Sequence, residues 1–306
     1  MKRALLFIGT LLLSSVAMAD GLNSMSSEAA SPDDAVPRRQ PSCLSVFASA
    51  GAVWADDNTA NFYSGRPGNC NTIDRVLHSE TYGNRIWQQL KTDGLISSAV
   101  ANKDMLTVVE YGDMYYRTSL QYGLGIRYDY ESGFGWLLRF DISRLEALGA
   151  FNLSSTNGTG ILSNNGQYIR CGLMGREDRI NIDFAIAHTV DLGENICFEL
   201  NLGASLNNTK VKESLMEIDG STYSILDIWN GQMPGSTTGS YEYINQGGIG
   251  WGVFMSGFLG YRVEGVGAIK AGYTCHHSKT TLEGYSATGW IHCLTVRFEI
   301  NNFSFL

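Results

Sequence analysis

The residues of this 306-residue chain whose types and spacing could do chemistry lie together near its C-terminal end: Cys275-His276-His277-Ser278, with Glu283 close behind. An imidazole can take a proton from a hydroxyl, and a carboxylate can orient that imidazole. His276 as base, Ser278 as nucleophile and Glu283 as third member would together hydrolyse an ester. The same cluster makes a poor metal site, because His276 and His277 are neighbours and adjacent strand residues point to opposite faces. The six cysteines, Cys43, Cys70, Cys171, Cys197, Cys275 and Cys293, contain no C-x-x-C pair and no zinc spacing. Neither a metal nor a cofactor is expected.

What must position that cluster is a period-two pattern that runs through most of the chain. Leu120, Tyr122, Leu124, Ile126, Tyr128 and Tyr130 alternate with polar or small residues. The same holds for Phe134 to Ile142, Ile180 to Ile186, Ile196 to Leu206, Trp251 to Val263, Ile269 to Tyr273 and Trp290 to Ile300, and more weakly for Leu44 to Trp54. A strand sends such sets to opposite faces. Most of these eight segments exceed the roughly 5–6 residues of an ordinary strand and reach the 9–11 or so that cross a bilayer. One face is continuously apolar and suits lipid. The other carries Arg127, Asp129, Arg139, Asp141, Asp183, Glu199, Arg262, Lys270, Arg297 and Glu299. In a narrow lumen poor in water these ten groups must pair, so a neutralising network is expected in preference to an ion pathway. By this parity Lys270, Thr274 and His276 face the lumen, away from any lipid substrate, which counts against the hydrolase.

The turns agree. Glu131-Ser132-Gly133, Asp191-Leu192-Gly193 and Gly265-Val266-Gly267 each offer three residues with Gly third, as a three-residue hairpin loop prefers. Between them fall long connections at 55–117, 147–177 and 208–249, and a shorter one at 278–285. Three short turns at one end and four connections at the other fit an all-β, antiparallel, up-and-down transmembrane β-barrel of eight strands with long outer loops. Within the first connection, Ile73, Val76, Leu77, Ile86, Trp87 and Leu90 share a helical stripe interrupted at Gly83, with Asn71 or Thr72 as cap. Met105 to Tyr111 reads as an extra strand in a loop hairpin, and 166–174 likewise.

Residues 1–19 read as a signal peptide: Lys2-Arg3, an apolar run from Ala4 to Leu13, and Ala17-Met18-Ala19 as cleavage site. Residues 20–42, rich in Ser, Ala, Asp and Pro, are expected to be a flexible periplasmic linker, with the barrel domain over 43–306. An exported chain can oxidise its thiols, so one or two disulfides plus buried thiols are expected. Cys70, Cys171 and Cys275 fall toward the outer end, where any two could pair. Cys43 and Cys197 face across the barrel and stay unbonded. A formal net charge of -8 argues against a nucleic-acid partner.

The architecture from about residue 43 onward resembles the small eight-stranded outer-membrane barrels of the OmpA-transmembrane and OmpX type. That family often ends on an aromatic, whereas here Phe305 is penultimate. The resemblance implies a monomer in the bacterial outer membrane, contacting outer-membrane lipids and lipopolysaccharide, with no wide pore. A structural or surface-interaction role falls to the loops at 55–117, 147–177 and 208–249, which would meet a surface ligand or protein partner. Two other functions are open: a small channel, and a hydrolase, since His276-x-Ser278 with Glu283 resembles the Ser, His and Glu site of outer-membrane lipid A deacylases. In that family Asn tends to follow the Ser, where Lys279 stands here. A soluble lipocalin-like barrel would need the faces reversed.

Overall fold

The computed structural model describes residues 43–68, 72–162, 167–226, 247–282 and 284–301. The signal peptide, the linker, Cys70, Asn71, Glu283 and the terminal Phe303 to Leu306 lie outside them. Along the chain the elements are β1 Cys43–Ala55, the short helices α1 Asp57–Ala60, α2 Ile73–Leu77 and α3 Tyr82–Thr92, then β2 Leu106–Tyr111, β3 Tyr115–Tyr116, β4 Ser119–Asp129, β5 Phe134–Ser155, β6 Ile169–Asp191, β7 Ile196–Ile218, β8 Ser221–Ser224, β9 Gly247–Val263, β10 Gly267–Leu282 and β11 Tyr285–Ile300. The eight strands β1, β4, β5, β6, β7, β9, β10 and β11 pair antiparallel in that order, and β11 pairs back onto β1, with Ala50 opposite Val296. The ring is closed, so no edge is left unpaired within it.

The two faces are those the alternation predicts. Phe140 is 42% exposed and Val253 54%, whereas Arg139 is 1% exposed and Glu199 not at all. This is the lipid-facing order and the opposite of a soluble barrel. Tyr128, Tyr130 and Trp136 form an aromatic group at the turn end, with Tyr128 and Trp136 stacked, as suits the membrane boundary.

Two of the three tight turns sit elsewhere than expected. Glu131-Ser132-Gly133 forms its loop as read, with Gly133 at φ +79°. Between β6 and β7, Asp191 pairs with Cys197 and Leu192 binds Ile196, so the loop is Gly193-Glu194-Asn195. Between β9 and β10, Val263 pairs with Gly267, so the loop is Glu264-Gly265-Val266. Both shifts preserve parity, because a change that keeps the loop odd leaves every side chain on its face.

The larger correction concerns the outer connections. β5, β6 and β7 run 22, 23 and 23 residues, far more than a bilayer needs. Most of 147–177 is therefore strand, 166–174 belongs largely to β6 itself, and β7 continues to Ile218 before folding back as β8. At 278–285 the two strands nearly meet. The outer face changes from apolar to charged at Arg144, Asp178 and Lys210. At the same level the inner face changes the other way. In β5 the inward set Arg139, Asp141 and Ser143 gives way to Leu145, Ala147, Phe151 and Leu153. One strand thus serves two solvents in succession.

The segment from α1 to β2 fills this upper interior. Phe62, Tyr63, Ile73, Leu77, Ile86 and Leu90 pack against Leu145, Phe151, Leu173, Val211 and Met216 as one buried cluster. Gly175 is needed here, since a Cβ would fall 2.2 Å from the Tyr63 ring. The helical stripe is broken at 78–81 into α2 and α3, before Gly83 and not at it. Gly83 is the second residue of α3 and lies so close to the Leu77 carbonyl that a side chain would collide. Thr72 occupies the cap position of α2 without a side-chain bond. The extra strand is present as β2, paired with the top of β5, bulged between Val108 and Glu110. The five described cysteines are all free thiols, so no disulfide joins them.

Candidate functional site

The lumen is a packed ionic lattice. Glu199 sits at its centre, accepting from Lys270 Nζ at 2.7 Å and Arg297 at 2.7 Å and bridging to Arg127. Lys270 also reaches Glu299 at 2.7 Å, and Arg127 is shared with Asp129 at 2.6 Å. One layer out, Arg139 holds Asp141 at 2.8 Å and Asp183 at 2.5 Å. Nine of the ten predicted lumen groups are held in these two layers, and the tenth, Arg262, pairs instead with Asp191 at the rim. Missing from the alternation reading were Phe47, Phe254 and Phe258, which also point inward. The Arg297 guanidinium lies between the rings of Phe47 and Phe258, 4.2 and 4.1 Å away, and these contacts are cation–π in kind. Their parity with Ser49 and Ser256 was the available signal.

His276 and Ser278 project inward as parity requires, both buried. His276 Nε2 is 3.2 Å from an Arg139 nitrogen and 3.5 Å from Asp183. The imidazole is thereby tied into the lattice of the wall, and lipid does not reach it. Glu283 lies outside the described residues, so the third member of the triad is not placed. Among the described residues no three His, Cys, Asp or Glu side chains converge as a metal site would need.

Above the lattice a second polar cluster ties the cap to the strands. Tyr63 Oη donates to Glu177 at 2.7 Å, and Arg179 donates to Glu177 at 2.5 Å, to Thr59 at 3.0 Å and to Tyr116 Oη at 3.2 Å. Burial, and next the Glu177 carboxylate, hold the Tyr63 and Tyr116 hydroxyls well above their ordinary pKa. Tyr111 is raised by burial and by Asp74, to which it donates at 3.2 Å. An unfolded tyrosine ionises near pH ~10. Above that the native state retains protons the unfolded state has lost, so this contribution is complete below pH ~10 and drains away as the pH rises toward the folded values. Absorbance titration at 295 nm should show tyrosines resisting ionisation past pH ~11, followed by a cooperative release as the cap unfolds. A single smooth transition near pH ~10 would contradict the packing.

On the outer surface of the strand extensions lies a groove of about 480 Å³. Its base is one cross-strand row in continuous register: Tyr115 opposite Leu148, Leu148 opposite Met174, Met174 opposite Leu215. Tyr115 is 51% exposed. Gly112, Ala150 and Gly172 lower the wall beside the row, and Asp113, Arg170, Glu217 and Thr222 stand at the mouth. Residues 112–115, 148–150, 170–174 and 215–222 come from the three long connections that sequence reading marked as the functional ones. None of the individual groove residues was singled out there, because their convergence depends on register far from any motif.

No family model matches the chain, and no curated protein does. Solved structures with a similar course include Neisserial surface protein A, at 10% identity, covering 86% of this chain and 99% of that one with a TM-score of 0.38. Another is Ail, the attachment invasion locus protein of Yersinia pestis, in complex with the heparin analogue sucrose octasulfate. It is 9% identical, covers 85% of this chain and 100% of its own, and has a TM-score of 0.32. The fold assignment here rests on the closed ring and its faces.

Proposed function

We propose that this chain is an outer-membrane barrel, exported with loss of residues 1–19, that holds a folded cap beyond the outer leaflet and binds a surface ligand there. The observation that carries this reading is the groove, to which each of the three long connections contributes. The belt supports the membrane setting, since its outer edge turns to Lys210 and Lys279, cations suited to the phosphates of lipopolysaccharide, beside an Arg144 already paired with Asp178 at 2.9 Å. The lattice supports a closed lumen and so speaks against the channel. The burial of His276 and Ser278 speaks against the hydrolase, and the chain acts as a monomer without cofactor.

An epitope placed in the Asp219-Gly220 turn, between β7 and β8, tests the setting. Antibody should bind intact cells, and purified protein in planar bilayers should give no stepwise conductance. Binding only after lysis would refute the orientation, and regular conductance steps would restore the channel. Ser278→Ala should leave lipid A composition unchanged in an overexpressing strain.

A further inference from the structure

Resting on the surface-binding reading above, we infer that the groove over Leu148, Met174 and Leu215 takes a polypeptide, seating one large apolar side chain flanked by both signs of charge. The base has the composition of a protein-interface centre, where aromatic residues and Met are enriched and charge is depleted. The row crosses β3, β5, β6 and β7, three strand spacings of about 4.8 Å each, so it is roughly 14 Å wide. That is broad for one sugar ring and suited to an anchor with its neighbours.

The surrounding charges narrow the choice. On the membrane side runs the row Glu146, Arg176 and Glu213. It is already satisfied internally, with Arg176 and Glu213 at 2.9 Å and Glu146 at 3.7 Å from Arg117. This charged row separates the groove from the lipid belt, so an acyl chain has no apolar route into it. On the far side, Arg170 and Glu217 are exposed and have no ion-pair partner among the described residues. Asp113, Glu146 and Glu213 are balanced by Arg66, Arg117 and Arg176, so the charges left open are one cation and one anion, Arg170 and Glu217, and a sulfated or phosphorylated polymer would gain the first only by meeting the second. A polypeptide offers opposite charges to Arg170 and Glu217 while filling the row between. Gly172 fits the same picture. A Cβ there would meet Glu217 at an ordinary 3.5 Å, so nothing within the chain demands a glycine, and its bare backbone is left open toward the groove.

The test is selection from a random peptide display library on the full chain held in lipid nanodiscs. Enriched peptides should share a large apolar residue with an acidic and a basic residue within a few positions. Their binding should weaken at least tenfold in Gly172→Trp, which fills the groove from an accommodating position, and in Leu215→Lys, which charges its base. Unchanged heat-modified mobility on gels would show both variants folded. Failure to enrich any sequence, or enriched peptides that bind Gly172→Trp as well as the parent, would overturn the inference. So would displacement of the peptides by neutral or sulfated oligosaccharides. The epitope experiment is independent of these outcomes, so a groove without peptide affinity would leave the surface orientation standing or falling by itself.

Discussion

Glu199→Gln is expected to cost the barrel about 3–5 kcal/mol, the usual penalty for removing one partner from a buried ionic cluster. The carboxylate touches Arg127, Lys270 and Arg297 and is itself fully buried. The amide keeps the shape and one acceptor but not the charge. Three cations would then share Glu299 and Asp129 alone, in a space without bulk water to screen them. Denaturant unfolding in lipid vesicles reads the loss directly. The change should also exceed that of Glu213→Gln, whose ion pair with Arg176 is partly exposed and worth at most about 1 kcal/mol. Equal effects at the two positions would mean that the lumen is wet and that the lattice is not what holds the wall together.

Phe184→Arg is the second. Phe184 is 57% exposed and faces outward at the middle of the apolar belt, between Leu138 and Ala204. In water such a substitution would be nearly silent. In a bilayer, an arginine at mid-depth on the outer face of a barrel costs about 2–4 kcal/mol. Lys279→Arg, at the rim, should cost almost nothing. Folding yield into vesicles should fall for Phe184→Arg and stay unchanged for Lys279→Arg, which exchanges one cation for another. A protein indifferent to both changes would not reside in a membrane at all.

The lipid belt and the lumen were legible in the residues because each strand repeats one instruction many times. Ile196, Phe198, Leu200 and Leu202 all say outward, and a single exception such as Phe258 cannot reverse the vote. Parity also protects the reading against shifts of the turns, since a hairpin that slides while its loop stays odd keeps the same faces. The cap was only half legible. The stripe through Ile73, Val76 and Leu77 marks a helix, but nothing local says that it will pack on Leu145 and Phe151 of a distant strand. The reason is that the pattern inverts along β5, β6 and β7. Leu145 and Leu153 continue the parity of Arg139 and Asp141, so the same face is polar below and greasy above. Read by the membrane rule, such a segment looks like irregular loop; read by the rule for a soluble core, it is a strand. The added residue in β7 compounds this. Glu177 pairs with Val211 and Arg176 with Glu213, so Lys212 shifts the alternation by one. Tyr63, Glu177 and Arg179 went unrecognised as a cluster for the related reason that they meet only once the cap has folded back.

The pairing of β1 with β11 has a consequence for biogenesis. Each of the other seven seams joins strands that follow one another within the ring, but this one zips together the two ends of the barrel chain, Val46 to Ile300 through Ala55 to Ile291. Until the final segment has been delivered, the cylinder is an open scroll with two raw backbone margins, and hydrocarbon offers those amides nothing to bind. Insertion therefore cannot proceed strand by strand as translation does. It has to be completed in a late concerted step, and a chain cut short before Tyr285 would lack the stave that shuts the cask.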